Sequence, residues 1–262
     1  MKQFIAKIVS HGPVSDCFFE LVFAWDTAAG VPGPGQFCTL RVSPYTAPLL
    51  RRPFAFSAFD EQAKMASIVY KKRGPSTELL SGRQAGSTID VIGPLGNGFL
   101  GFAAGCRGPF LLAAGGTGLG PIAFLANHFA KSNSACTVVL GCRTRSQLPR
   151  LSMPSSVKVI TCTDDGTEGI RGTPLTYLEG LTPLQCRGLT VFSCGPAPLL
   201  AGCHRWAQER RLGCYVSMEQ VMACGVGACM GCAVKVTDGG VSGFARACSE
   251  GPVFDSGRIA WT

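Results

Sequence analysis

The sequence predicts an α+β chain in three parts: an antiparallel β-barrel over 1–101, a parallel-sheet α/β domain over 102–213, and a small β-rich domain over 214–262. Three observations predict it. Up to about residue 100, short apolar runs recur at regular intervals between turn residues, which is the pattern of an antiparallel barrel. From 102 onward, strand-length apolar runs alternate with helical stretches, as a parallel sheet with crossover helices requires. The last fifty residues return to short glycine-rich pieces around four cysteines.

In the barrel, strands are expected at 4–9, 17–25, 36–42, 54–59, 65–71 and 88–92, with a short capped helix from Ser76 ending on Gly82. In the α/β domain, strands are expected at 110–114, 137–143, 157–163 and 189–194, with a helix at 197–211. The tail carries one expected strand, 233–237.

Composition narrows the function classes. With 262 residues there is room for two compact domains and a third that leans on a metal. Fourteen cysteines follow an N-terminus, Met1-Lys2-Gln3-Phe4-Ile5-Ala6-Lys7, that lacks the apolar core of a signal peptide, so a reducing cytoplasm is expected. Most cysteines outside the tail sit singly in apolar strings such as Gln36-Phe37-Cys38-Thr39-Leu40 and read as small buried hydrophobes. The longest run without a formal charge, 108–130, reaches membrane-spanning length, but five glycines and two prolines break it into strand, turn and helix. A net charge of +8 suits anionic ligands, and no long basic run or aromatic-basic stripe points to nucleic acid. Charged residues make up only 15% of the chain, which leaves room for an apolar partner-binding surface.

Cys224, Cys229, Cys232 and Cys248 follow the C-x4-C-x2-C…C spacing that holds a [2Fe-2S] cluster in plant-type ferredoxins. The glycines between them permit the tight turns that bring backbone N–H groups to sulfur. Structural zinc is the alternative, but it favours two C-x2-C hairpins or a Cys/His set. One C-x2-C is present, and His204 lies twenty residues before Cys224.

Three further segments are candidate phosphate and ring sites. Gly115-Gly116-Thr117-Gly118-Leu119-Gly120-Pro121 follows an apolar strand and opens a helix, where N–H groups and the helix dipole can hold a pyrophosphate; a turn serving packing alone is the alternative. Cys194-Gly195-Pro196 stands at a strand end on the ligand-binding edge of such a sheet, or is a turn with one buried cysteine. In the barrel, Arg51 and Arg52 precede the strand Pro53-Phe54-Ala55, and a second segment joins Val69, Tyr70 and Lys71 to Gly74, Ser76 and Thr77. Guanidinium forks and a helix N-terminus suit a flavin pyrophosphate and aromatic side chains suit its ring; a solvated charged hairpin is the alternative. The histidines His11, His128 and His204 read as ordinary single positions, and no acid/base pair stands in a motif context.

Over almost its whole length the chain resembles the electron transfer subunits of dihydroorotate dehydrogenase B, a branch of the ferredoxin reductase superfamily with an added iron–sulfur domain. The resemblance extends to Gly93-Pro94-Leu95-Gly96-Asn97-Gly98-Phe99, Thr163-Asp164-Asp165-Gly166, Ser217-Met218-Glu219-Gln220-Val221-Met222-Ala223-Cys224-Gly225 and Cys248-Ser249-Glu250-Gly251-Pro252-Val253-Phe254. It implies FAD on Arg52, Pro53, Phe54, Ala55, Val69, Tyr70, Lys71, Gly74, Ser76 and Thr77. It implies NAD(H) on Gly115, Gly116, Thr117, Gly118, Gly120, Cys194, Gly195 and Pro196, with Cys194 beside the nicotinamide, and a [2Fe-2S] cluster on the four tail cysteines. The implied partner is an FMN-containing dihydroorotate dehydrogenase catalytic subunit, two of each chain, oxidising dihydroorotate to orotate in pyrimidine biosynthesis with NAD+ as acceptor. Ala55 stands where the family has serine, Ser76 where glycine is usual and Glu250 where aspartate is common, which leaves the flavin contacts open. Arg143 and Arg145 leave NAD against NADP open too. Two alternatives stand beside this: the small FAD/[2Fe-2S] subunit of an NADH-dependent ferredoxin:NADP oxidoreductase or sulfide dehydrogenase, and a zinc-bound regulatory module that binds a nucleotide.

Overall fold

The computed structural model describes residues 1–261. Six antiparallel strands close a barrel: β1 (Lys2–Pro13), β2 (Phe18–Ala24), β3 (Phe37–Arg41), β4 (Arg52–Asp60), β5 (Met65–Lys71) and β6 (Thr88–Leu95), in the spatial order β1-β2-β5-β4-β3-β6. The period-2 pattern does the work of placing side chains: along β6, Ile89, Val91 and Leu95 are buried while Thr88 is exposed. Trp25, Phe56, Ile68 and Leu40 fill the interior, with the Trp25 and Phe56 rings edge-to-face at 5.3 Å. The expected short helix is present as α1 (Pro75–Ser81), with Pro75 in its first turn and Leu80 buried in the barrel core.

A four-residue turn of helix, α2 (Leu100–Ala103), leads into the second layer. Its sheet is built from β7 (Phe110–Gly115), β8 (Cys136–Cys142), β9 (Lys158–Thr163), β10 (Ile170–Arg171), β11 (Thr190–Cys194) and β12 (Gly213–Ser217). The helices are α3 (Leu119–Lys131), α4 (Pro174–Glu179), α5 (Pro183–Cys186) and α6 (Ala197–Glu209). The tail adds the hairpin β13 (Ala233–Asp238) and β14 (Val241–Arg246), then β15 (Val253–Asp255). The seven-stranded order is β10-β9-β8-β7-β11-β12-β15, parallel except for β15, which pairs antiparallel with β12. Residues 143–157, between β8 and β9, form no crossover α-helix.

The sheet thus runs on through Ser217, and the tail returns to its edge at Val253–Asp255. Val234, Val236 and Ala245 of the tail belong to the same buried core as Val191, Leu200 and Trp206 of the sheet. The tail also grips the barrel. The Asn97 N–H donates to the Gly251 carbonyl at 2.6 Å, and the Asn97 side-chain amide donates to the carbonyls of Ser249 and Glu250 at 3.1 and 3.2 Å. Among the described residues no helix is long and apolar enough to cross a membrane.

On the opposite face of the sheet, the Phe192 ring meets Phe99 at 5.7 Å, Phe129 at 5.8 Å and Phe110 at 5.9 Å, and is fully buried. Phe192→Ala therefore opens a cavity in a core with little freedom to collapse. It is expected to cost about 3–5 kcal/mol, read as a lowered unfolding midpoint, and a loss below about 1 kcal/mol contradicts this packing.

Candidate functional site

A cleft of about 750 Å3 opens where barrel, sheet and tail meet. Pro53, Phe54 and Ala55 of β4, Val69, Tyr70 and Lys71 of β5, and Thr77 of α1 line its barrel side. Tyr70 is the rigid part of this wall: its ring stacks on Phe19 at 5.8 Å and meets Phe54 edge-on at 5.6 Å. His11 fixes its hydroxyl. Because the Arg83 carbonyl 2.7 Å from His11 Nδ1 can only accept, Nδ1 carries the proton, and in the neutral ring Nε2 accepts from the Tyr70 hydroxyl at 2.9 Å. Burial pushes the Tyr70 phenol well above its ordinary range.

Arg52, Gly74 and Ser76 lie outside the residues lining the cleft, and the reason is chemical. Arg52 Nε–H donates to Ser76 Oγ at 2.9 Å and a terminal N–H donates to the Leu50 carbonyl at 2.8 Å, so this fork ties β4 to α1. Thr77 Oγ1 accepts from the N–H groups of Arg73 and Gly74 and donates to the Gly74 carbonyl, capping α1. Arg51 is spent on Asp90, at 2.6 Å. Among the described residues, the barrel side of the cleft is lined by the cations Lys71 and Arg73, both from the basic end of the second segment.

On the sheet side the cleft is lined by Gly115, Gly116, Thr117, Cys194 and Pro196. Gly116 has φ +57° with open space where a side chain would stand, so its peptide is free to face a ligand at the start of α3. Gly118, Gly120 and Gly195 serve approach instead. A Cβ on Gly118 would collide with the Cys194 carbonyl, and one on Gly195 would come within 2.9 Å of the Gly115 carbonyl oxygen, so the two strand-end turns interlock. A Cβ on Gly120 would lie 3.1 Å from Cβ of Ser57, which seats α3 on the barrel.

Cys194 is buried, and burial pushes its thiol up to about 12, with the Glu219 carboxylate adding to the effect. Glu219 accepts a hydrogen bond from Thr117 Oγ1 at 3.1 Å and lines the cleft with Met218, Gln220 and Met222. The strand β12 delivers this segment, and Cys224 follows two residues later.

The four tail cysteines form two contacting pairs, Cys224 with Cys229 and Cys232 with Cys248. Among the described residues no three His, Cys, Asp or Glu side chains converge on one point, so the arrangement is of pairs rather than a single tetrahedral set. Backbone donors point at sulfur: the N–H of Gly227 lies 3.1 Å from Cys248 Sγ, that of Gly231 3.4 Å from Cys229 Sγ, and that of Cys248 3.4 Å from Cys232 Sγ. The Val226 N–H above all, with the Cys229 thiol and the N–H groups of Ala228 and Cys229, lowers the Cys224 thiol to about 6. Burial, then the Cys232 thiol, raises Cys248 to about 11. Two thiol pairs wrapped by N–H donors fit a group of two metal atoms with bridging sulfide. Arg246 steadies the loop, donating to the Gly227 carbonyl at 2.7 Å and to Glu250 Oε2 at 2.9 Å, while its own N–H reaches the same carboxylate oxygen at 2.9 Å. Nothing in the spacing of the motif singled out Arg246.

Residues 219–260 match the profile of the iron-sulfur cluster binding domain of dihydroorotate dehydrogenase B. The dihydroorotate dehydrogenase B (NAD(+)) electron transfer subunit of Geobacillus sp. (strain WCH70) is 32% identical over 261 residues, covering 99% of both chains. This chain belongs to the family of dihydroorotate dehydrogenase B electron transfer subunits. The subunit of that name from Geobacillus thermodenitrificans (strain NG80-2) is 33% identical over 96% of each chain. Beyond these electron transfer subunits, a solved structure of an NADH-dependent reduced ferredoxin-NADP oxidoreductase superposes with a TM-score of 0.83 at 26% identity, covering 98% of this chain and 90% of that one. A ferredoxin NADP+ reductase from Neisseria gonorrhoeae with bound FAD and NADP shares the fold, with a TM-score of 0.66 at 14% identity over 80% of this chain and 92% of its own.

Two predictions follow from this geometry. Gly118→Ala drives the glycine turn off Cys194 and displaces the start of α3, and a misplacement of about 1 Å is worth ~10²-fold in kcat/KM for the dinucleotide; steady-state kinetics with an artificial acceptor checks it, and an unchanged value contradicts the interlock. Buried thiols make the fold alkali-sensitive: burial raises Cys194 to about 12 and Cys203 to about 11 from an ordinary thiol value of 9.0, so their stabilising contribution is complete below pH 9 and is lost as pH rises through their folded values. The unfolding temperature should fall between pH 9 and pH 11, and Cys203→Ala should flatten that fall.

Proposed function

We propose that this chain is the electron transfer subunit of a dihydroorotate dehydrogenase, carrying electrons between an FMN-containing catalytic subunit and NAD(H) by way of a [2Fe-2S] cluster and FAD. Dihydroorotate gives up two electrons and two protons to become orotate, and NAD+ takes both electrons with one proton to become NADH. Bound FAD supplies the exchange between hydride, a two-electron carrier, and the cluster, a one-electron carrier. The observation that carries this proposal is one cleft whose walls come from β4–β5, from the two strand-end turns of the sheet and from the segment that runs directly into Cys224.

In this reading Pro53, Phe54, Ala55, Val69, Tyr70 and Lys71 hold the flavin, with Arg52, Gly74, Ser76 and Thr77 bracing that wall. With no hydroxyl on residue 55, a polar contact to the flavin from this position falls to the backbone. Gly115, Gly116 and Thr117 take the dinucleotide phosphates, and Gly118, Gly120, Gly195 and Pro196 set the turns that do so. Cys194 is the neutral, compact thiol beside the nicotinamide, and Cys224, Cys229, Cys232 and Cys248 hold the cluster. The functional units remain 1–101, 102–213 and 214–262, working in the cytoplasm as two copies with two catalytic subunits. Exposed Val221, Val226 and Met230 around the outer cysteines offer the apolar face that a protein partner would cover.

An NADH-dependent ferredoxin-NADP oxidoreductase subunit is the second reading, favoured by the 26% identity over 98% of this chain. Anaerobic protein should contain iron and acid-labile sulfide in equal amounts, and NADH should bleach the flavin band and raise an EPR signal. Stoichiometric zinc without sulfide sinks the proposal. Mixed with the FMN-containing catalytic subunit, the protein should form NADH from dihydroorotate; ferredoxin-dependent NADP reduction with a larger flavoprotein favours the second reading.

A further inference from the structure

Four buried side-chain hydroxyl oxygens, those of Thr39, Ser57, Ser193 and Ser249, have no hydrogen-bond partner among the described residues. Ser193 lies beside the Cys203 thiol, and Ser57 packs on Gly120 where barrel meets sheet. The remaining two border one feature. Thr39 is 2% exposed on β3, and its methyl group would stand 2.9 Å from a Cβ on Gly225, the residue after Cys224. Ser249 follows Cys248, and its Cβ and Oγ would each stand 3.1 Å from a Cβ on Gly227, whose N–H donates to Cys248 Sγ. Both residues border the cysteine loop and carry a buried, unpaired hydroxyl: Ser249 meets Gly227 with its Oγ, and Thr39 meets Gly225 with the methyl group that shares a Cβ with its Oγ1. A buried hydroxyl without a partner is unfavourable, and the chemistry concentrated at this loop is sulfur, a weak acceptor as thiol and a strong one as metal-bound thiolate or sulfide.

We infer that the hydroxyls of Thr39 and Ser249 donate hydrogen bonds to sulfur of the four-cysteine site and raise the reduction potential of the cluster held there. The inference rests on the cluster proposed above. Its physical basis is the charge difference between the two redox states: reduction adds one negative charge, donors to sulfur stabilise that charge, and removing a donor lowers the potential. Both are positioning residues rather than ligands. Thr39 adds a geometric role, since it ties the flavin-side barrel to the loop next to Cys224.

The test is a potentiometric titration of the EPR signal in loaded wild type, Thr39→Val and Ser249→Ala, with Ser57→Ala as the control. Each variant at the loop should lower the cluster's reduction equilibrium constant about tenfold, ~59 mV for a one-electron couple, while Thr39→Ser and Ser249→Thr restore it and Ser57→Ala leaves it unchanged. Iron–sulfur stretching bands of wild type should shift between H2O and D2O, a readout that needs no variant to fold. An unchanged potential in a variant with full iron and sulfide overturns that residue's role, because its hydroxyl then makes no bond to the cluster's sulfur. Wild-type protein lacking iron and sulfide overturns the cluster proposal and this inference together.

Discussion

Backbone-to-backbone contact between segments far apart in sequence is the constraint on which the rest of this molecule depends. The turn after β7 lies so close to the end of β11 that a single methyl group on Gly118 has no room beside the Cys194 carbonyl. Such contact cannot be adjusted by side-chain rotamers, so the relative position of the two turns is fixed by main-chain geometry. The same device recurs at Gly120, which lets α3 settle on Ser57 of the barrel. Walls joined by main-chain contact fix the width of the cleft, whereas loops joined only by side chains would leave it undetermined.

The electrostatics of the site follow from what the backbone has already arranged. Around the cysteine loop, peptide N–H groups do the work of cations: they carry no net charge, cost little to bury and still favour sulfur in its anionic form. The cleft mixes signs, with Lys71, Arg73 and Arg143 facing Asp164 and Glu219. Glu219 is the informative member, since Thr117 Oγ1 holds its carboxylate at the N-terminal end of α3, the place a phosphate favours. One side chain therefore touches the glycine turn while its own segment leads to the cysteine loop, a direct mechanical link between the two.

Much of this was legible before any coordinates. The six barrel strands, the glycine turn and the four cysteines are written in local patterns, either a period of two or a fixed spacing, and local patterns survive in a linear text. What escaped has a common cause. Strand β15 has three residues and is a strand only because β12 offers an edge. The clamp between Asn97 and residues 249–251 joins positions more than 150 apart, and no periodicity reports it. Arg52 and Ser76 illustrate the converse: residue types suited to phosphate were found where expected along the chain, but each satisfies the other. A donor's chemistry can be read from sequence, whereas whether that donor is already occupied is a fact of three dimensions.

The two cysteine pairs differ in a way that gives the site a direction. Cys232 and Cys248 are buried in the same core as Phe37, which also lines the cleft, and Ala55 packs against that core. Cys229 is exposed, Cys224 is half-buried, and between them in sequence Val226 turns outward. One side of the loop is thus continuous with the packed wall of the cleft, and the other faces outward through apolar side chains. The asymmetry also bears on stability: the inner pair contributes to a core that the small hairpin of β13 and β14 could not build alone, and the tail is held by strand pairing and by the Asn97 clamp as well as by its sulfurs. Because the sheet-edge pairing and the clamp use no cysteine, polypeptide contacts hold the loop against the cleft independently of its sulfurs.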